Sequence, residues 1–199
     1  LPVSSSIERE DMPSTADNWE FGGDYEHNFE DGGKYKLLFI VNERNNSNQR
    51  ERFVSSALGA TETKDLFLDT SSRYRERILR TSYAWSVIEN QTLELGIEGA
   101  QTIQDSSLRL GLNIPGTTSP DYGGLRPIPV PNAISEVEEI RMEGFAIHNW
   151  QINQRMSLES SLLYEVSEIE QTGDINKKRD FDFIKPKLDF RFDISRSFQ

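Results

Sequence analysis

Four carboxylates recur at even spacing in two alternating segments, Glu94 and Glu98 in one, Glu159 and Glu165 in the other with odd-numbered partners around them. Even spacing places such acids on one face of a strand. Two acids facing one cavity could serve as general acid and base, whereas the commoner arrangement is a wet wall whose acids pair with Arg and Lys across strands. His27 and His148 fall inside expected strands and read as wall residues. The sequence holds no Gly-rich phosphate loop ending in Gly-Lys-Ser/Thr, no His-Glu-x-x-His and no cysteine at all. No catalytic residue, metal site or cofactor is therefore expected, and the chain is not expected to be an enzyme. The longest irregular stretch, GTTSPDYGGLRP from Gly116 to Pro127, offers Asp121, Tyr122 and Arg126 as a charge pair and a ring. It is the candidate for ligand contact, since binding residues concentrate on loops held by a rigid scaffold.

What must hold these residues is a set of strands. Tyr35, Leu37, Phe39 and Val41 alternate with Lys36, Leu38, Ile40 and Asn42; Leu79, Thr81, Tyr83, Trp85 and Val87 oppose Arg80, Ser82, Ala84 and Ser86. The clearest case is Ile184, Pro186, Leu188, Phe190, Phe192 and Ile194 against Lys185, Lys187, Asp189, Arg191 and Asp193. A period of 3.6 would mix those Lys and Asp residues with the rings, so the fold class is all-β. Seven strands are expected, at about 18–29, 34–55, 66–87, 92–112, 136–152, 156–172 and 179–195, with residues 1–17 as a loop or linker. Pro186 suggests a bulge or an unpaired position.

The connections alternate. Tight ones are expected at Glu30 to Gly33, Glu89 to Gln91, Ile152 to Arg155 and Ser195 to Ser197; longer or more polar ones at about Ser56 to Asp65, Asn113 to Ser135 and Thr172 to Lys178. Short turns at one end of an antiparallel meander and long loops at the other is the asymmetry of outer-membrane barrels. Trp19 and Phe29 share a face ten residues apart, about 25 Å along a membrane normal for tilted strands. Tyr35, Trp85, Trp150 and Phe192 each adjoin a tight turn. These six rings are expected to mark the membrane interfaces.

Bulk composition agrees with a wet interior. Apolar residues make up 35% of the 199, and the mean hydropathy is −0.62. A formal charge of −11, from 22 Lys and Arg against 33 Asp and Glu, argues against nucleic acid as a partner. No apolar run approaches the length of a spanning helix. Leu1-Pro2-Val3-Ser4 lacks the basic start and apolar run of a signal peptide, so either the chain is mature or its beginning is missing.

WEFGGDYEHNFEDGGKYKLLFIVNERNN, RTSYAWSVIENQTLELGIEGA, FAIHNWQINQRMSLESSLLYE and RDFDFIKPKLDFRFDIS resemble the barrel of TonB-dependent outer-membrane receptors, over most of residues 18–199. The resemblance implies part of a transmembrane β-barrel of about 22 strands with a plug in its lumen, in the outer membrane of a Gram-negative bacterium. It further implies contact with outer-membrane lipid, energy from the TonB complex, and import of a scarce ligand such as an iron chelate, cobalamin or a glycan. No counterpart of the plug or the TonB-contacting box stands in the sequence, so the expectation is an incomplete section of a larger barrel. A soluble β-sandwich binding module and a small outer-membrane barrel enzyme are the alternatives.

Overall fold

A computed structural model describes residues 6–194. The opening Leu1-Pro2-Val3-Ser4, the turn expected at Ser195 to Ser197 and the final Phe198-Gln199 lie outside the described residues. The elements are β1 (Ile7–Asp11), β2 (Ser14–Asn28), β3 (Lys34–Ser55), β4 (Thr63–Ile88), β5 (Gln91–Leu112), β6 (Arg126–Ile128), β7 (Ile134–Asn153), β8 (Met156–Gly173) and β9 (Lys177–Phe192), with one 3-10 turn at Pro120–Tyr122. All pairings between strands are antiparallel.

The long strands form one meander, in which β3, β4, β5, β7, β8 and β9 follow each other across a single open sheet. β1 and β2 both pair with β3, and Ile7 opposite Ser55 continues in the same register as Ser14 opposite Asn48. They are thus one edge strand, interrupted at Met12-Pro13. Proline has no amide to give the ladder, yet its carbonyl still accepts from the Gln49 amide at 3.0 Å. Counted this way the meander has seven strand positions, and among the described residues nothing pairs with the outer edge of β1/β2 or of β9.

Two expectations about connections are corrected. The segment 1–17 is not a loop throughout: β1 and the first residues of β2 lie in it. Its side chains show no alternation because both faces are exposed there, and it is the long backbone edge of β3 that recruits it. The β8–β9 connection is not long either. It is Asp174–Asn176, closed by Gly173 at φ +112° and by the Asp174 amide on the Ile134 carbonyl at 3.1 Å. The tight turns Phe29–Gly33, Glu89–Asn90 and Gln154–Arg155 stand where expected, with Gly32 and Asn90 supplying positive φ. No bulge occurs at Pro186; the register of β8 with β9 runs through it unbroken, on an edge strand where a missing donor is tolerated.

Facing follows from register, because residues directly opposite each other share a face. One face, called here the ring face, carries the odd positions of β2 to β5 and the even positions of β7 to β9. It collects Trp19, Phe21, Phe39, Leu79, Ile97, Met142, Leu162, Tyr164 and Ile184. The other, the charged face, carries Glu20, Asp24, Arg80, Glu98, Glu143 and Glu165. Exposure is inverted relative to a soluble domain. Trp19 is 50% exposed and Ile184 69%, while Glu165 on the charged face is 7% exposed. Among the described residues no side chain is fully buried and there is no second sheet, so the rings pack into no dry centre.

Candidate functional site

The ring face carries a band. Following the register from Trp19 leads through Glu43, Arg75, Ile103, Glu138 and Glu170 to Lys178 on β9. The first apolar ring-face residue of β9 is Ile184, six residues beyond Lys178. The lower limit slips equally: Phe29 lies ten residues beyond Trp19, and Ile194 sixteen beyond Lys178. Ile103 of β5 stands above this line. From edge to edge the band therefore drifts by one residue per strand-to-strand step. With about 3.3 Å per residue and about 4.8 Å between strands, that drift is a tilt of about 35°. Ten residues at that tilt span about 27 Å along the band normal.

Rings gather at the turn end of this band. Tyr25 stacks near His27, His27 meets Phe29 edge-on at 4.5 Å, Phe29 lies 5.8 Å from Tyr83, and Tyr83 lies 5.7 Å from Trp85. Tyr35 is 6.5 Å from Tyr25. Trp150 and Phe192 share this face near their own turns, and Trp19 alone of the six expected rings stands at the opposite limit. His148 shares a hydrogen bond with Gln91 at 2.8 Å. Among the described residues no cluster of His, Asp and Glu is arranged to hold a metal ion.

The charged face holds a row of three glutamates on adjacent strands, Glu98, Glu143 and Glu165, each directly opposite the next. Like charges so placed repel, and three cations interleave with them. Arg80 Nη1 donates to Glu98 at 3.4 Å, and Arg141 Nη2 donates to the other Glu98 oxygen at 3.2 Å. Arg141 also pairs with Glu143 at 3.0 Å, and Lys185 Nζ donates to Glu165 at 2.5 Å. The Arg80 guanidinium in turn lies 4.2 Å from the centroid of the Phe145 ring. The network joins β4, β5, β7, β8 and β9. Glu98 and Glu165 are thereby paired wall residues. Glu94 and Glu159 share their face. Arg80, Arg141, Glu143 and Lys185 were not singled out from sequence, because only cross-strand register shows that they converge.

The three loop residues lie in the connection between β5 and β7. Tyr122 ends the 3-10 turn, and the loop lies on the ring face of the β4–β5 extension: a Cβ on Gly111 would meet the Tyr122 carbonyl at 2.7 Å and one on Gly123 would meet the Phe67 ring at 2.5 Å. Phe67 and Leu125 are buried there. Lys64 Nζ donates to the Gly123 carbonyl at 3.2 Å. Arg126 heads β6 and donates to the Pro115 carbonyl. Asp121 and Arg126 are exposed and Tyr122 half-buried.

Above the band the ring face turns polar. Arg73 Nη2 pairs with Glu43 at 2.8 Å, and Arg75 Nη2 with Asp105 at 2.8 Å and Glu136 at 3.8 Å. A cleft of about 680 Å³ lies beside them, lined by Thr15, Ser47, Ser71, Ser107 and Glu136 among others. No protein-family model and no curated protein matches the chain.

Proposed function

We propose that this sheet is a wall section of an outer-membrane β-barrel of the TonB-dependent receptor type, with its ring face on lipid and its charged face on a watery lumen. The observation that carries the reading is the tilted band. A soluble sheet has no reason to keep an exposed apolar strip of constant height. Strands crossing a bilayer at 35–45° need such a strip, about 25 Å tall, flanked by aromatic residues. The ion-paired row on the opposite face suits a wet interior, and the open edges require further strands, because hydrocarbon does not satisfy unpaired backbone groups. On this reading the protein resides in the outer membrane of a Gram-negative bacterium and serves uptake of a scarce ligand, an iron chelate, cobalamin or a glycan, driven through TonB by parts beyond this section. The resemblance of the strand sequences supports that last step.

All three tryptophans, Trp19, Trp85 and Trp150, stand on the ring face, which makes their fluorescence a direct probe. In vesicles of lipids brominated high on their acyl chains the emission is expected to be quenched strongly, and by aqueous iodide weakly. Monodisperse protein without detergent, with iodide quenching and no effect of bromine, would overturn the proposal.

A further inference from the structure

The pairing of β5 with β7 ends at a fork. Its last register pair is Ser107 with Ile134, and beyond it the place beside β5 passes to β6, where Leu110 stands opposite Ile128. The joint between β6 and β7 is Pro129-Val130-Pro131-Asn132-Ala133. Its two prolines have no amide to give, and Asn132 stands at φ +57°. On the β5 side the fork is closed by the Leu108 amide, which donates to the Ala133 carbonyl at 2.8 Å. On the β8 side the Ile134 amide donates to the Asp174 carboxylate at 3.2 Å, and the Asp174 amide donates to the Ile134 carbonyl at 3.1 Å.

Two carboxyl groups face each other just inside this fork. Asp105 of β5 and Glu136 of β7 are directly opposite in register, two residues from the last pair. Both stand on the ring face above the band, and both line the cleft together with Ser107 and Ile134. Side chains so placed have about 5 Å between their Cβ atoms, where like charges repel. One cation serves them unequally, since Arg75 Nη2 is 2.8 Å from Asp105 and 3.8 Å from Glu136. The other charged neighbours bring no relief. Arg73 of β4 is taken by Glu43 at 2.8 Å, and Lys178 of β9 by Glu168 at 2.6 Å. Glu138 follows Glu136 on the same face of β7, and β8 sets Thr172 and Glu170 opposite those two. A carboxylic acid at either position can donate to the other carboxylate, whereas two carboxylates have no proton to share.

We propose that Asp105 and Glu136 form a proton-dependent latch on this fork: with one proton between them the start of β7 stays paired with β5, and with none residues 129–135 part from β5 and the cleft widens between Ser107 and Ile134. The latch needs neither lipid nor lumen, so it stands or falls apart from the barrel reading. The Glu136 carboxyl agrees in sign. It is held above the usual carboxylate range first by its hydrogen bond with Asp105, so losing that proton works against the paired arrangement. The latch is therefore closed on the acid side and opens as pH rises through the folded-state value.

The test is amide hydrogen exchange of the whole chain from about pH 4 to about pH 8, expressed at each pH as protection relative to the intrinsic rate of an unstructured peptide. The Leu108 amide is expected to lose about tenfold or more of its protection across this range, while the amides of Leu93 to Ile97, on the same strand near the turn, keep theirs. Glu136→Gln and Asp105→Asn each remove one of the two charges and leave a donor in its place. Both variants are expected to hold the acid-side protection of Leu108 throughout. Constant protection in the unmodified chain, a loss shared by Leu93 to Ile97, or a loss that persists in the two variants would each overturn the proposal.

Discussion

Phe145 of β7 lies across the backbone of Gly96 on β5: a Cβ on Gly96 would stand 2.2 Å from Phe145 Cζ and 2.7 Å from the Thr81 carbonyl oxygen. The ring reaches over one strand to meet Arg80 on the next, so a residue without a side chain is what lets three strands share one contact. Gly96→Ala is expected to destabilise the folded protein by about 1–3 kcal/mol, the usual cost of overpacking. Gly144→Ala, on the ring face with nothing within 4 Å of the added carbon, is expected to be neutral or to stabilise by about 0.5 kcal/mol. Urea unfolding in lipid vesicles measures both.

Leu162 lies midway along the band on β8, between Met156 and Val166, and is 52% exposed. Leu162→Arg is expected to cost about 2–4 kcal/mol of stability in the bilayer. Ser161→Arg, one residue along and on the charged face, is expected to cost little. Phe190 lies one residue from the midpoint of the band on β9, which runs from Ile184 to Ile194, so its replacement by Arg is expected to cost about as much as that of Leu162. Equal costs at Leu162 and Ser161, read from folding titrations, would contradict the assigned faces.

The glutamate row gives a third expectation. Glu98 receives both Arg80 and Arg141 and has a largely covered side chain, so Glu98→Gln is expected to cost about 1.5–3 kcal/mol, the range of hydrogen bonds to charged groups. Lys187 pairs with Asp189 of its own strand, both more than half exposed, and Lys187→Ala is expected to change stability by less than about 0.5 kcal/mol.

Phe67→Ala tests the loop. The ring is 6% exposed and seats the 3-10 turn through Gly123, and loss of a buried Phe costs about 3 kcal/mol or more. The expected outcome is local: residues 113–133 become sensitive to protease while the strands below keep their exchange protection. Cleavage at the wild-type rate would refute the seating.

Glu136 stands four residues above Ile140, outside the band. Its carboxyl is held above the usual carboxylate range, first by a side-chain hydrogen bond with Asp105, then by desolvation and the Asp105 charge, with Arg75 opposing. A raised carboxyl pKa means that the folded state keeps a proton the unfolded state has released. The associated stabilisation is complete below the unfolded-state value and is lost as pH rises through the folded-state one. Glu136→Gln is expected to flatten that segment of the stability-against-pH curve, measured by denaturation at a series of pH values.

Period-two alternation placed the strands from Lys34 to Gly173 within a few residues, because a side chain's face depends only on parity and each strand here carries rings and aliphatics on one face and charges on the other. Where both faces are wet the signal vanished, as at Ile7–Asp11, whose pairing comes from the exposed backbone of β3. Asp121, Tyr122 and Arg126 were legible as a polar loop but not as a loop seated on Phe67, since that contact joins residues more than fifty positions apart. The sequence alone determined the two opposed faces, the ten-residue spacing of Trp19 and Phe29, and the turns that reverse the chain. Register decided the rest: which strands adjoin, that Glu98, Glu143 and Glu165 form one row, and that the apolar band tilts by one residue per strand. Register is a property of pairs of strands, set by hydrogen bonds between segments distant along the chain, and no single segment contains it.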